Sequence, residues 1–180
     1  ITLIFSAQLL LAQAAKPTVA ILDFEGQDVS ESEVKTLSER MRTEIGNTNA
    51  VRLIERKAVE KIMQEQGLQQ SGCTTDECAA EVGQLLGVQF MISGSIGKMG
   101  KSYTIDCKMF SVETGETVRT KSATHKGDVS GLLTEMEILA WEIVDLEAPG
   151  SLKLKRAGTE ASKTVAVLDF EGRGITMQEA

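Results

Sequence analysis

The chain has very little histidine: His125 is the only one among 180 residues. A histidine-based metal centre or catalytic triad would therefore have one candidate, and no nucleophilic partner for it is recognisable. Ser71, Ser93 and Ser95 lack the Gly-x-Ser-x-Gly context of a nucleophile elbow. The sequence thus predicts no catalytic residue and no metal site, and it predicts that His125 is an exposed surface residue.

Clustered positive charge is also missing. The formal net charge is -7, and the sequence contains no stripe of Lys and Arg. Binding to nucleic acid or to an anionic membrane by counterion release requires such a stripe. The stretch 94–102, GSIGKMGKS, nearly matches a phosphate-binding loop, but a strand pattern follows where that loop needs a helix. We therefore expect no nucleic-acid partner and no cofactor.

The uncharged apolar run at residues 1–15, ITLIFSAQLLLAQAA, is too short for a membrane span of about 20 residues. It ends in the small-x-small pattern of Ala12 to Ala14, which is typical of a cleavage site. We interpret residues 1–15 as a secretory signal peptide without its basic first part, and the alternative is a buried helix or strand. No Cys follows the small residues, so we expect no lipid-modified cysteine.

Strand and helix patterns alternate after the apolar run. Short apolar runs at 19–22 and 51–54 are typical of buried strands. An amphipathic helix follows each of them, and the first of these helices begins at a capping box of Ser30 and Glu33 and ends at Gly46. A strand–helix–strand order of this kind predicts that the first two strands are parallel.

The second half of the chain predicts a third helix, an antiparallel strand meander and a last helix. The helices are expected at 75–86 and 129–146, and the strands at 88–96, 103–112 and 117–125. The fold class is therefore α/β with α+β character. Helices pack on a mixed sheet of about five strands, in the order β-α-β-α-α-β-β-β-α.

A nine-residue sequence occurs twice, as TVAILDFEG at Thr18 and as TVAVLDFEG at Thr164. A repeat this far apart equals a small domain plus a connection. We predict one domain over 16–146 and a linker at 147–163, because the latter contains Pro, Gly and Ser without periodicity. Residues 164–180 are then the first strand of a second, truncated copy.

The three cysteines are predicted to play two roles. Cys73 and Cys78 are separated by four residues, whereas zinc and thioredoxin-type sites use two. If Thr74 caps the third helix, the two cysteines occupy the hydrophobic-staple positions, and a disulfide joins them in an exported protein. The alternatives are reduced structural thiols and a redox or metal site. Cys107 lies on the apolar face of its strand and is predicted to be a buried free thiol.

Three carboxylates follow predicted strands at their carboxyl ends, where open α/β sheets often bind ligands. Asp23 and Glu25 follow the first strand and Glu55 follows the second. A general acid–base pair needs carboxylates that converge from different elements. We therefore treat Asp23, Glu25 and Glu55 as a candidate ligand or partner surface, and the alternative is an acidic strand end that leads into a loop.

Several short motifs resemble one family in their order and spacing over about 18–144. They are a strand ending in Asp23-Phe24, a strand leading to Glu55-Arg56, the helix end Gln64-Glu65-Gln66, Leu86-Gly87-Val88 before a strand closing in Gly94-Ser95, and Glu113-Thr114-Gly115. Together they resemble the CsgG/HfaB family of curli-secretion-type proteins. Similar domains occur in the amino-terminal part of TolB, in FlgO-type proteins and in lipoproteins that activate peptidoglycan synthases.

This resemblance implies a periplasmic, non-enzymatic module that assembles with itself or with protein partners in the bacterial cell envelope, in secretion or envelope assembly. The membrane hairpins of a secretion pore have no counterpart, because the short hairpins carry charged residues such as Asp106 and Lys108. We therefore expect the domain and the compartment rather than the channel. The alternative function is a ligand-binding or enzymatic domain with a site near Asp23, Glu25 and Glu55.

Overall fold

A computed structural model describes residues 15–68 and 75–161 of the chain, with side chains up to residue 158. The expected signal peptide and the repeated strand at 164–180 lie outside these residues, apart from Ala15, and both stay predictions. The described part contains six strands and five α-helices. In chain order they are β1 Thr18–Ile21, β2 Glu25–Gln27, α1 Glu31–Thr48, β3 Arg52–Leu53, α2 Arg56–Glu65, α3 Asp76–Leu86, β4 Phe90–Met99, β5 Ser102–Ser111, β6 Thr117–Lys126, α4 Leu132–Ile143 and α5 Gly150–Ala161.

The strands form one mixed sheet in the order β3-β1-β4-β5-β6. β1 is parallel to both of its neighbours, and β4, β5 and β6 form the expected antiparallel meander. β2 is an additional short strand that pairs in parallel with the far half of β4, where Glu25 lies opposite Ser95. The predicted α/β class with a mixed sheet is therefore confirmed.

The two faces of the sheet are covered unequally. On one face α1 and α4 contribute Met41, Ile45 and Met136 to a core that also includes Ile105 of β5 and runs across the sheet to β6, where Ala123 packs against it. On the other face α2 and α3 cover β1 and the adjoining ends of β4 and β5, around Val59, Met63 and Phe110. Side chains beyond that second cluster on the same face have no described helix over them.

The end of α1 differs from the prediction. Gly46 does not end the helix, because the helix continues to Thr48 and its C-cap is Asn49 in the left-handed conformation, with φ of 55°. The Asn49 N–H donates to the Gly46 carbonyl at 3.2 Å. Asparagine tolerates this conformation better than most side-chain-bearing residues, so it ends the helix where the sequence suggested glycine.

The start of α3 is one residue later than predicted. Thr75, rather than Thr74, is the N-cap, and its hydroxyl accepts from the Cys78 N–H at 3.3 Å. Cys78 therefore occupies the third helical position and not the fourth, so the expected staple placement is wrong by one residue. Cys73 lies outside the described residues, and the disulfide between Cys73 and Cys78 stays a prediction.

The segment 147–163, which is predicted to be a linker, contains the helix α5. Its residue Lys155 donates to the Glu137 carboxylate of α4 at 3.1 Å, and Arg156 lies 3.6 Å from the carboxylate of Glu135. Both carboxylates belong to buried residues, and burying an anion is costly unless a cation pairs with it. A helix packed against these acids therefore lies in a segment whose sequence shows no periodicity, and the linker role of 147–163 stays a prediction.

His125 is buried, which contradicts the prediction of an exposed histidine. It lies near the end of β6 with 8% of its surface exposed. A Cβ atom at Gly131 would lie 2.1 Å from the His125 ring, so the ring packs directly on that glycine. Sequence periodicity does not reveal this contact, because Gly131 belongs to the turn that leads into α4.

Candidate interaction site

Asp23 stands at the end of β1 and binds two arginines. Arg42 of α1 contacts one carboxylate oxygen at 3.1 Å, and Arg56 at the start of α2 contacts the other at 2.6 Å. Arg42 also donates to the Ile21 carbonyl at 3.0 Å, and Glu39 lies 2.7 Å from Arg42 and 3.4 Å from Arg56. Both carboxylate oxygens of Asp23 are therefore engaged by the protein, and the cluster connects β1, α1 and α2.

Glu25 lies on a different side of the strand end, in an open cleft of about 280 Å³ between α3 and the sheet. Asp23 also lines this cleft, together with hydroxyl groups and with Asp106 and Lys108 of β5. Lys108 is already paired with Asp76 of α3. The cleft therefore presents carboxylates and hydroxyls, with its one lysine engaged by an acid.

Glu55 does not join Asp23 and Glu25. It is exposed, directly precedes α2 without a side-chain capping bond, and lines a separate groove with Glu39 and Arg42. The structure thus places two of the three predicted carboxylates at one cleft and the third elsewhere. A single pocket in which all three converge is not formed, so this arrangement provides no general acid–base set.

The polar side of the β4–β5–β6 meander forms a surface that adjoins the cleft beside α3, since Ser95, Asp106 and Thr120 line both. Cross-strand pairs show which side chains stand next to one another, with Asp106 between Ser95 and Ser122. The next row pairs Thr104 with Thr124. We call this surface the open face and define it by six residues: Ser95, Thr104, Asp106, Thr120, Ser122 and Thr124.

The sequence predicts only part of the open face. The alternation of β5 correctly predicted Thr104, Asp106 and Lys108 on a polar side. β2, which extends this surface by placing Glu25 beside Ser95, was missed because three residues carry no usable periodicity. Short polar side chains on a sheet offer hydrogen-bonding groups at little entropic cost, which suits contact with another macromolecule.

The described residues offer little for covalent or metal chemistry. Within 15–68 and 75–161 no group of three or more His, Cys, Asp or Glu side chains is arranged to hold a metal ion. Cys107 is a buried free cysteine, as predicted, and burial raises the pKa of its thiol to about 12. At neutral pH this thiol is therefore protonated and unreactive.

No helix in the described part of the chain is long and apolar enough to cross a membrane.

Solved structures share this fold. The C-terminal domain of LpoB from Escherichia coli superposes with a TM-score of 0.55 at 16% identity, covering 62% of this chain and 84% of that domain. The same domain from Salmonella enterica gives 0.54 at 16% identity with the same coverage. Lipoprotein GNA1162 from Neisseria meningitidis gives 0.55 at 8% identity, covering 83% of this chain and 99% of that protein. At these identities the likeness concerns the fold.

The sequence itself identifies the family. No curated protein matches the chain. Membership of the CsgG/HfaB family is not shown by these comparisons, and that part of the resemblance stays a prediction. The model of the family described as peptidoglycan-synthase activator LpoB matches residues 5–121, well over half of the sequence. The chain therefore belongs to the peptidoglycan-synthase activator LpoB family.

Proposed function

We propose that this chain is a non-enzymatic protein of the bacterial cell envelope that binds a peptidoglycan synthase and raises its activity. The observation that carries the proposal is the family match over residues 5–121. The site agrees with it, because the three predicted carboxylates do not converge and Asp23 is engaged by Arg42 and Arg56. A role in secretion, which the CsgG/HfaB resemblance implied, stays a prediction.

Family membership also supports the expected location. Peptidoglycan is assembled outside the cytoplasm, so an activator of its synthases works on the periplasmic side of the envelope. Family membership thus confirms the prediction of an exported, periplasmic protein. The signal peptide expected at residues 1–15 is the means of export that the sequence suggests.

We propose the open face as the surface that meets the synthase. Its residues are polar and largely exposed, and three of them, Ser95, Asp106 and Thr120, line the cleft beside α3. Asp106 lies near its centre, between Ser95 and Ser122. Protein interfaces concentrate their binding energy near the centre of the contact, so a change at Asp106 has the largest expected effect.

The test combines the purified chain with the peptidoglycan synthase of the same bacterium and measures binding and the rate of glycan-strand synthesis. We expect saturable binding, a higher synthase rate and no synthesis by the chain alone. Asp106→Lys should weaken binding about tenfold or more, because it reverses a charge at the centre of the contact.

Lys61→Glu on α2 is the matched control, since Lys61 is 75% exposed and lies away from the open face. It should bind like the unchanged chain. Absence of both binding and stimulation would contradict the proposed function. If Asp106→Lys stimulated the synthase as strongly as the unchanged chain does, the binding surface would have to lie elsewhere. The proposed function would still hold.

A further inference from the structure

The outer edge of β6 carries backbone groups that no other described strand engages. β6 is ten residues long and ends the strand order of the sheet. It contains no proline, and its register irregularity lies at one end, opposite Met109 and Phe110. Proteins usually blunt such an edge with proline, bulges, charged side chains or a short strand, because an exposed edge pairs readily with another strand. Of these devices, β6 has charged side chains and an irregularity at one end.

The ladder with β5 shows which residues of β6 point their backbone outward. The Gly127 N–H donates to the Lys101 carbonyl at 3.0 Å, so Gly127 faces β5. Backbone direction alternates along an antiparallel strand, so His125 and Ala123 also face β5. Thr120, Ser122 and Thr124 therefore direct their N–H and C=O groups to the outer edge, while their side chains stand exposed on the open side of the sheet.

We propose that β6 pairs antiparallel with β6 of a second copy of this chain, about a two-fold axis at Ser122. In this register Ser122 faces its own counterpart, and Thr120 faces Thr124. Such small hydroxyl pairs are favourable in antiparallel sheets. The pairing joins two six-stranded sheets into one, and it is isologous, as two-fold symmetry requires.

Charge disfavours the registers on one side of this one. With the axis at Ser122, Lys121 lies opposite Ala123. Moving the axis to Lys121 places that lysine against itself, and moving it to Thr120 places Lys121 against Arg119. Like charges directly opposite one another destabilise a sheet, so both shifts are disfavoured. The self-complementarity of β6 is the reason to name a second copy as the occupant.

Cross-linking tests the register directly. Cysteine at position 122 should be joined to its counterpart by a short bifunctional thiol cross-linker, because directly opposed Cβ atoms lie about 5 Å apart, slightly more than an unstrained disulfide spans. Thr124→Cys is the matched control, since it lies on the same strand and face but should not meet its own counterpart. We expect a covalent dimer from Ser122→Cys and little from Thr124→Cys. Equal cross-linking of the two variants would overturn the proposal.

Self-association of the full chain is measured independently by sedimentation or native mass spectrometry over a concentration series. We expect a reversible dimer that Ser122→Lys weakens about tenfold or more, because two ammonium groups then face each other. Thr104→Lys, on the same face but on the inner strand β5, should dimerise like the unchanged chain. A chain that stays monomeric up to millimolar concentration, or a dimer indifferent to Ser122→Lys, would overturn the proposal. Neither result bears on synthase activation, which is assayed separately.

Discussion

Arg56 at the start of α2 lies 2.6 Å from the Asp23 carboxylate at the end of β1. These residues belong to the two motifs that follow the first two predicted strands. Their contact, together with Arg42, holds the carboxyl end of β1 between α1 and α2. The carboxylate that sequence reasoning placed in a candidate binding surface therefore also stabilises the fold.

Asp23→Asn should lower the free energy of unfolding by about 1–3 kcal/mol, because two partly buried arginines then share only the half-exposed carboxylate of Glu39. Urea unfolding measures the change. Glu55→Gln is the control, since Glu55 is exposed and makes no capping bond; it should stay within about 0.5 kcal/mol of the unchanged chain. Equal stability of Asp23→Asn and Glu55→Gln would contradict the structural role of Asp23.

Replacing each of two glycines by alanine should change the free energy of unfolding in opposite directions. A Cβ atom at Gly94 would lie 2.3 Å from the Asp106 carbonyl oxygen and 2.5 Å from the Phe24 ring, whereas one at Gly46 would meet nothing within 4 Å. Gly94→Ala should destabilise the chain by about 1–3 kcal/mol or more. Gly46→Ala, inside α1, should stabilise it by about 0.5–1 kcal/mol. Thermal or urea unfolding distinguishes the two, and a neutral Gly94→Ala would argue against the close approach of β4 and β5 to Phe24.

Cys107 should make stability fall at alkaline pH. Burial raises its pKa from the ordinary 9.0 to about 12, so the folded chain holds this proton more tightly than the unfolded chain. The contribution of the protonated Cys107 thiol to the free energy of unfolding is complete below pH 9. It is lost as the pH rises from 9 to 12. Between about pH 8 and pH 10.5 the loss should reach about 2 kcal/mol. Urea unfolding of the chain and of Cys107→Ala at both pH values isolates the effect; identical pH dependence would contradict it.

Glu137→Gln should loosen α5. The Glu137 carboxylate is buried and accepts from Arg40 at 2.8 Å and from Lys155 of α5 at 3.1 Å. Removing its charge should speed hydrogen exchange of the α5 amides about tenfold. Glu147→Gln breaks an exposed ion pair with Lys153 and should have a much smaller effect. Unchanged exchange in Glu137→Gln would show that α5 is held by other contacts.

Mass spectrometry of the exported protein tests the predicted disulfide. If Cys73 and Cys78 are joined, reduction should add two hydrogens, and alkylation without reductant should leave both residues unmodified. Cys107 is buried, so alkylation is carried out in denaturant, where this thiol serves as the internal positive control. Alkylation of both Cys73 and Cys78 without reductant would contradict the disulfide.

The sequence predicted the elements whose packing is periodic. Val34, Leu37, Met41 and Ile45 recur at helical spacing, and all four are buried on one side of α1. The meander was predictable for the same reason, because the alternation of β5 reports which side faces the core. Local periodicity was therefore sufficient for the fold class and for the polar side of the sheet.

The remaining features depend on contacts between distant residues. The helix α5 forms against Glu137, which lies in another element, and no local pattern reports that pairing. The burial of His125 depends on the absence of a side chain at Gly131. The candidate site shows the same limit: Asp23 was recognisable from its place after a strand, but its two arginine partners lie 19 and 33 residues further along the chain.

Because the two faces of the sheet are covered unequally, the residues of the core must keep their identity, whereas the residues of the open face can vary. Side chains of α1 and α4 interlock with the strands, so a change there alters the core and risks the whole fold. The open face contributes little to that core, so its hydroxyls and carboxylate can be exchanged with small effects on stability. A lineage could therefore adapt this surface to a new partner by a few substitutions while the scaffold beneath it stays unchanged.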